Sequence, residues 1–240
     1  MRTPAGWRPG PPMDVSLLNN PVWHSLAGAH EAFGVHHDLA RRYRREVTQI
    51  AAIREPGFAG LEALATLTEP GESLYLAQET RDPLPGCWAL EGEVVMWQMV
   101  LGRPADVPPP AIDAVVLGSA DVPEMCALAA LTHPGPFGPE GIRLGRFLGV
   151  RRGGHLVAMA GQRFRVPGFV EISGVCTHPE WQGHGFARAL MNRLAAEIQG
   201  QGDTPFLHVL EANTRAAALY GRMGFVTRIC PWARIVRRVA

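Results

Sequence analysis

Residues 178–187 read His-Pro-Glu-Trp-Gln-Gly-His-Gly-Phe-Ala, and the reading of the whole chain turns on them. Residues 169–177 before them read as a strand. After them an amphipathic helix is expected from about 186 to 198, with Phe186, Leu190, Met191, Leu194 and Ile198 on one stripe and Arg188, Asn192 and Glu197 elsewhere. Gly200 supplies its stop. A helix that begins at this turn leaves backbone N–H groups without acceptors, and their partial charges form the positive end of the helix dipole. Such a start is a site for an anion of the size of a pyrophosphate. Gly183 and Gly185 permit close approach of the backbone.

The hexapeptide Gln182-x-x-Gly185-x-Ala187 is weak on its own, because a chain of this composition yields about one such match by chance. A second one exists, Arg54-x-x-Gly57-x-Ala59, in which Pro56 deletes an amide that a phosphate would use. The context separates the two. After the first come a Gly-rich turn at 200–203, a strand at 206–210, and Asn213 as cap of a short helix through Met223; Gly224-Phe225 then ends that helix and enters a last strand. Residues 171–177, the Gln-Gly-His-Gly-Phe-Ala turn, and Asn213-x-x-Ala216-x-x-Leu219-Tyr220-x-x-x-Gly224-Phe225 together resemble the acetyl-coenzyme A-binding core of the GNAT superfamily of N-acetyltransferases. The resemblance spans about residues 111–240 and is strongest over 169–226.

That resemblance implies an α/β fold: a mixed, mainly antiparallel sheet with splayed central strands, flanked by helices. It also implies transfer of an acetyl group from acetyl-coenzyme A to a primary amine of a small molecule or peptide, both substrates being bound together. Carried over, it puts the main chain of Val175 and Thr177 against pantetheine, and Gln182, Gly183, His184, Gly185, Phe186 and Ala187 around the pyrophosphate. Asn213 is then a coenzyme contact as well as a cap, and Tyr220 the acid that protonates the departing thiolate. Glu171 is the candidate base, since the two-residue period of a strand puts it on one face with Ser173 and Val175; its bland alternative is a salt-bridged edge residue. His208 is expected to be a satisfied structural histidine or, less simply, a neighbour of the thioester. Keeping both Glu171 and Tyr220 favours an active enzyme over the alternative, an acyl-coenzyme A sensor or scaffold without turnover.

Composition sets the outer limits. Among 240 residues, 23 cations and 22 anions leave a net charge of +1, which argues against a nucleic-acid coat. With 47% hydrophobic and 19% charged residues the chain can bury a core. It contains no Lys, so lysine chemistry is excluded, and its four cysteines (Cys87, Cys126, Cys176, Cys230) lack metal or redox spacing. No metal is expected, no apolar run has the length of a membrane span, and the cytoplasm is the expected compartment.

Residues 1–13 read as a disordered tail, and 104–110, with four prolines in seven residues, as a linker. Between them, 14–103 is expected to be an α/β unit with helices at 20–33, 38–46 and 58–67, strands at 49–53 and 73–78, and a hairpin of 88–90 and 94–100 turning at Glu91-Gly92-Glu93. Its roles are open among an acceptor-side domain, a dimerisation element in a homodimer, and a degenerate GNAT-like half. Beyond the linker, strands are expected at 114–117, 147–151 and 155–165, with a helix to Leu131 capped by Asp121. The proline-rich loop 134–139 is a candidate wall for the acceptor.

Overall fold

The computed structural model describes residues 14–102 and 111–239; the tail at 1–13 and the linker at 104–110 lie outside the described residues. In chain order the N-terminal half holds α1 (Pro21–Leu26), β1 (Gly34–His36), β2 (Ala40–Tyr43), β3 (Ile50–Ile53), α2 (Phe58–Thr66), β4 (Ser73–Gln78) and β5 (Trp88–Leu101). The C-terminal half holds β6 (Ala114–Val116), α3 (Val122–Thr132), β7 (Phe147–Arg152), β8 (His155–Val166), β9 (Phe169–Thr177), α4 (Phe186–Gly200), β10 (Thr204–Leu210), α5 (Thr214–Arg222), β11 (Phe225–Ile229) and β12 (Trp232–Arg238).

The elements around the 178–187 turn form where their sequence places them. Asn213 caps α5 by accepting from the Ala216 amide at 3.1 Å, and the apolar stripe of α4 is buried. Asp121 precedes α3 without capping it; its carboxylate accepts instead from the Gly118 amide and pairs with Arg151.

Two N-terminal expectations fail for a common reason. Residues 38–46 are not helical: β2 lies between β1 and β3, and Arg42 is buried against Glu72, so remote pairing overrides the helix propensity of an Arg-rich segment. Residues 88–101 are not a hairpin but one 14-residue strand. Adjacent Ile235 and Val236 of β12 face Gly92 and Leu90, so the Glu91-Gly92 step is a bulge that adds a residue without reversing the chain. The first helix is also shorter than expected, ending at Leu26.

The long β5 organises everything else. β11 and β12 run antiparallel along it one after the other, Phe225 to Ile229 against Leu101 to Gln98 and Trp232 to Arg238 against Val95 to Trp88. At one end of this ribbon β10 pairs with β5; at the other β4 pairs with β12. Each half therefore completes its sheet with a strand from the other half, in a 12-stranded sheet ordered β1-β2-β3-β4-β12-β5-β10-β9-β8-β7-β6, with β11 on β5 off this path. On both sides the next pair outward is parallel and joined by a helix: β3 and β4 through α2, β9 and β10 through α4.

The β9–β10 pair opens into the space a ligand could use. Their register runs only from Thr204 opposite Phe169 to Phe206 opposite Glu171, after which the strands part. Across β8, the step from Ser173 to Cys176 spans three residues against two, so β9 carries an extra residue at Gly174, whose φ is 62°. Val175 then packs with Val170 and Ile172 into the core under α4 and α5, while Cys176 joins the core under α3.

Candidate active site

An open cleft of about 430 Å³ lies where β9 and β10 diverge, and it gathers Val175, Thr177, Gln182, Gly183, Gly185, Phe186, Ala187, Asn213 and Tyr220. These side chains and turns come from β9, the loop before α4, and α5. Gly185 is the N-cap of α4 in the left-handed conformation, φ 78°, and Gly183 has φ 85°, so both positions favour glycine. The first bond of α4 is Ala189 N–H to the Gly185 carbonyl at 3.0 Å, and no side chain caps the helix. The amides ahead of Ala189 thus have no acceptor within the helix and face a 15-residue dipole.

His184 does not line the cleft. Its Nδ1 donates to the Trp181 and Gln182 carbonyls, each at 3.1 Å, and its ring stacks on Phe186, so the side chain braces the turn. Arg188, Arg215 and Arg222 line the cleft and no carboxylate does; Arg215 donates to Gln182 Oε1 at 3.0 Å. The cleft is consequently electropositive around the start of α4, an arrangement that attracts phosphates. Arg188 and Arg215 carry no sequence signal beyond their charge, because only the meeting of α4 and α5 brings them together.

Tyr220 is buried on α5 at the cleft wall, 6.3 Å from the Phe225 ring, and burial pushes its hydroxyl up to about 12. It is protonated at neutral pH, the form in which a phenol can donate a hydrogen bond or a proton. Cys176 also lines the cleft, and burial raises its thiol to about 11, which keeps it out of the nucleophilic thiolate form.

Glu171 sits elsewhere. The extra residue at Gly174 breaks the alternation, so Glu171 does not share a face with Val175, and it is absent from the cleft. An isolated Gly inside a strand is the signal that foretells such a bulge. The Glu171 carboxylate is fully buried; Arg163 donates to it from Nε at 2.7 Å and from Nη2 at 2.9 Å, and His208 from Nδ1 at 2.7 Å. Burial alone would raise its pKa, but the Arg163 charge and these hydrogen bonds outweigh it and hold the group at about 2.

His208 is likewise committed, its Nε2 lying 3.2 Å from the Gln98 amide nitrogen. Gln98 in turn donates to the Leu18 carbonyl at 2.7 Å and accepts from Arg228 at 3.0 Å, and Arg228 reaches Asn19. The Nδ1–H tautomer of His208 satisfies every bond in this chain. The network ties β8, β9 and β10 to β5, β11 and the segment before α1. Among the described residues no three His, Cys, Asp or Glu side chains converge as a metal site, and no helix is long and apolar enough to cross a membrane.

The model of the FR47-like protein family matches residues 147–233. A GNAT-family protein of known structure from Novosphingobium aromaticivorans is 36% identical over 93% of this chain and 99% of its own, with a TM-score of 0.82. A GCN5-related N-acetyltransferase-like protein from Streptococcus suis shares the fold at 14% identity, with a TM-score of 0.62 over 91% of this chain and 92% of its own. None of the curated proteins compared matches the chain. Similarity of this extent to the Novosphingobium protein, together with the sheet and its opened strand pair, makes the chain a member of the GNAT superfamily of acetyltransferases.

Proposed function

We propose that the protein is an N-acetyltransferase that moves an acetyl group from acetyl-coenzyme A directly to a primary amine. The observation that carries this reading is the convergence of Val175, Thr177, the 182–187 turn, Asn213 and Tyr220 on one cleft. The amides before Ala189, with Arg215 and Arg222 beside them, hold the diphosphate, and the main chain of Val175 and Thr177 aligns pantetheine between the parted strands. The amine nitrogen attacks the thioester carbon; the C–N bond forms and the C–S bond breaks. Tyr220 gives its proton to the sulfur and its phenolate regains one from the nitrogen, so the proton count closes. Cys176, held as a thiol, forms no acyl intermediate.

Glu171 fits a positioning role better than that of base. A carboxylate at about 2 is too weakly basic to accept a proton from an ammonium, and its oxygens are already bonded to Arg163 and His208. The same fact favours a second reading, an acyl-coenzyme A sensor that no longer turns over. Thiol release from acetyl-coenzyme A across a panel of primary amines separates the two: stimulation by an amine supports the enzyme, and silence beside measurable coenzyme binding supports the sensor.

The N-terminal half reads as a degenerate copy of the same unit. In its support, β3, α2, β4 and the shared ribbon repeat the order β9, α4, β10 and ribbon, with the same parallel pair inside.

A further inference from the structure

A small, partly open chamber lies beside the cleft, where the two halves of the molecule meet. It has room of about 20 Å³, and its walls are Val47 and Thr48 from the N-terminal half and the 134–137 loop, Leu144, Phe147, Arg163, Ser173 and Gly174 from the C-terminal half. The chamber ends on β9 at Ser173 and Gly174, and the open cleft begins at the next residue, Val175. The two cavities are therefore neighbours across the bulge. The loop wall is clamped: the Glu140 amide donates to the Glu46 carbonyl at 3.0 Å, and a Cβ on Gly138 would lie 2.6 Å from the Glu46 and Val47 carbonyl oxygens.

Three properties of the chamber bear on what it takes. Its room matches one water-sized group, for which about 10–15 Å³ is needed; an amine head is of that size. Thr48 is 3% exposed and its hydroxyl has no hydrogen-bond partner, the one wall residue with such an orphaned buried atom among the described residues. Finally, the charged wall residue, Arg163, already has its guanidinium bonded to the Glu171 carboxylate, and no carboxylate lines the space. A mostly apolar space with no carboxylate on its wall offers an ammonium no counter-charge, so desolvation favours the neutral amine that the reaction requires.

Resting on the transferase reading above, we propose that this chamber receives the amine head of the acceptor, that Thr48 is its hydrogen-bonding anchor, and that the acceptor class is compact primary amines bearing no second cation. Desolvation then replaces a carboxylate base: the acceptor leaves its ammonium proton to bulk water on entry, and the remaining exchange is the one-proton balance already described. The N-terminal half thereby acts in selecting the acceptor.

The test uses the full chain with ethylamine and spermidine as probes, acetyl-coenzyme A as donor and thiol release as readout. Ethylamine is expected to be turned over with kcat/KM at least roughly 100-fold above that of spermidine, whose further cations would lie outside the chamber, toward a cleft lined by arginines and by no carboxylate. Thr48→Val, which keeps shape and removes the hydroxyl, is expected to raise KM for ethylamine roughly 10-fold with kcat nearly unchanged. Its thermal midpoint should not fall, because deleting an unpartnered buried hydroxyl removes no bond; a merely structural threonine would lower it and leave KM alone. Preference for spermidine, no turnover of ethylamine, or an unchanged KM in Thr48→Val would each overturn the assignment. Turnover of other amines in those cases leaves the transferase reading standing, whereas loss of coenzyme binding by the wild-type chain strikes that reading itself.

Discussion

The turns at 182–187 and 54–59 share a hexapeptide pattern and a place in the fold, between a strand and a helix that leads to a parallel partner strand, yet they are built for different ends. At the first, Gly185 caps a 15-residue helix in the left-handed conformation, and the strands beyond it part over a cleft lined by Arg188, Arg215 and Arg222. At the second, Pro56 withholds an amide, α2 has nine residues, and Glu55 lines the adjoining open hollow where an anion would have to sit. The Arg54 guanidinium meanwhile lies over the Trp23 ring, 5.3 Å from its centre. A shared pattern of residues does not make a phosphate site; what supports one at 182–187 is also the helix start, the opened strand pair and the converging arginines.

The parallel pairs differ in the same sense. The β9–β10 register ends on Glu171, whereas that of β3 and β4 ends on Ala51, so only the C-terminal half carries a buried charge network at the point of divergence. Glu171→Gln should show the largest effect of any substitution considered, because Arg163 would keep its charge without compensation: a loss of about 3–5 kcal/mol in urea unfolding is expected. The pH dependence follows from the sign of the shift. The group is held at about 2 against an ordinary 4.5, so its stabilisation is complete above about 4.5 and is lost as pH falls through 2. Wild-type stability should decline across that window and the Gln variant should decline less. A pH–rate profile in the variant that loses a limb between pH 5 and 9 would restore Glu171 as the base.

Next in size is Tyr220→Phe, expected to lower kcat about 100-fold with less than a twofold change in coenzyme Kd. An unchanged kcat removes its role as acid. Gly185→Val should weaken coenzyme binding by roughly 30-fold, since φ 78° is strained for a branched residue and the added bulk stands at the amides. Gly57→Val, which meets a still more positive φ of 131° in the other turn, should leave that affinity within twofold. Equal losses in the two variants would mean that both turns serve the coenzyme.

The two halves were also unequally legible in the sequence. β9, α4, β10 and α5 follow one another with local caps, stops and periodicity, so their reading needed no remote partner. β2 and β5 did need one. Arg41 and Arg42 look helical until β1 and β3 flank them, and Glu91-Gly92-Glu93 looks like a turn until residues 232–238 lie alongside. Within the site, the proposed cradle has a local signal because it would use backbone amides at a helix start. Glu171 was misplaced because one bulged glycine reverses the faces that a two-residue period assigns. Thr48 and Arg163 carried no signal, as their significance exists only where loop 134–137 closes on the N-terminal half.

Calorimetric titration of the full-length protein with coenzyme A tests the central claim most directly. The account predicts one equivalent bound per chain, with the heat abolished or strongly reduced in Gly185→Val and retained in Gly57→Val. No heat with the folded wild-type protein, or two equivalents per chain, would contradict it.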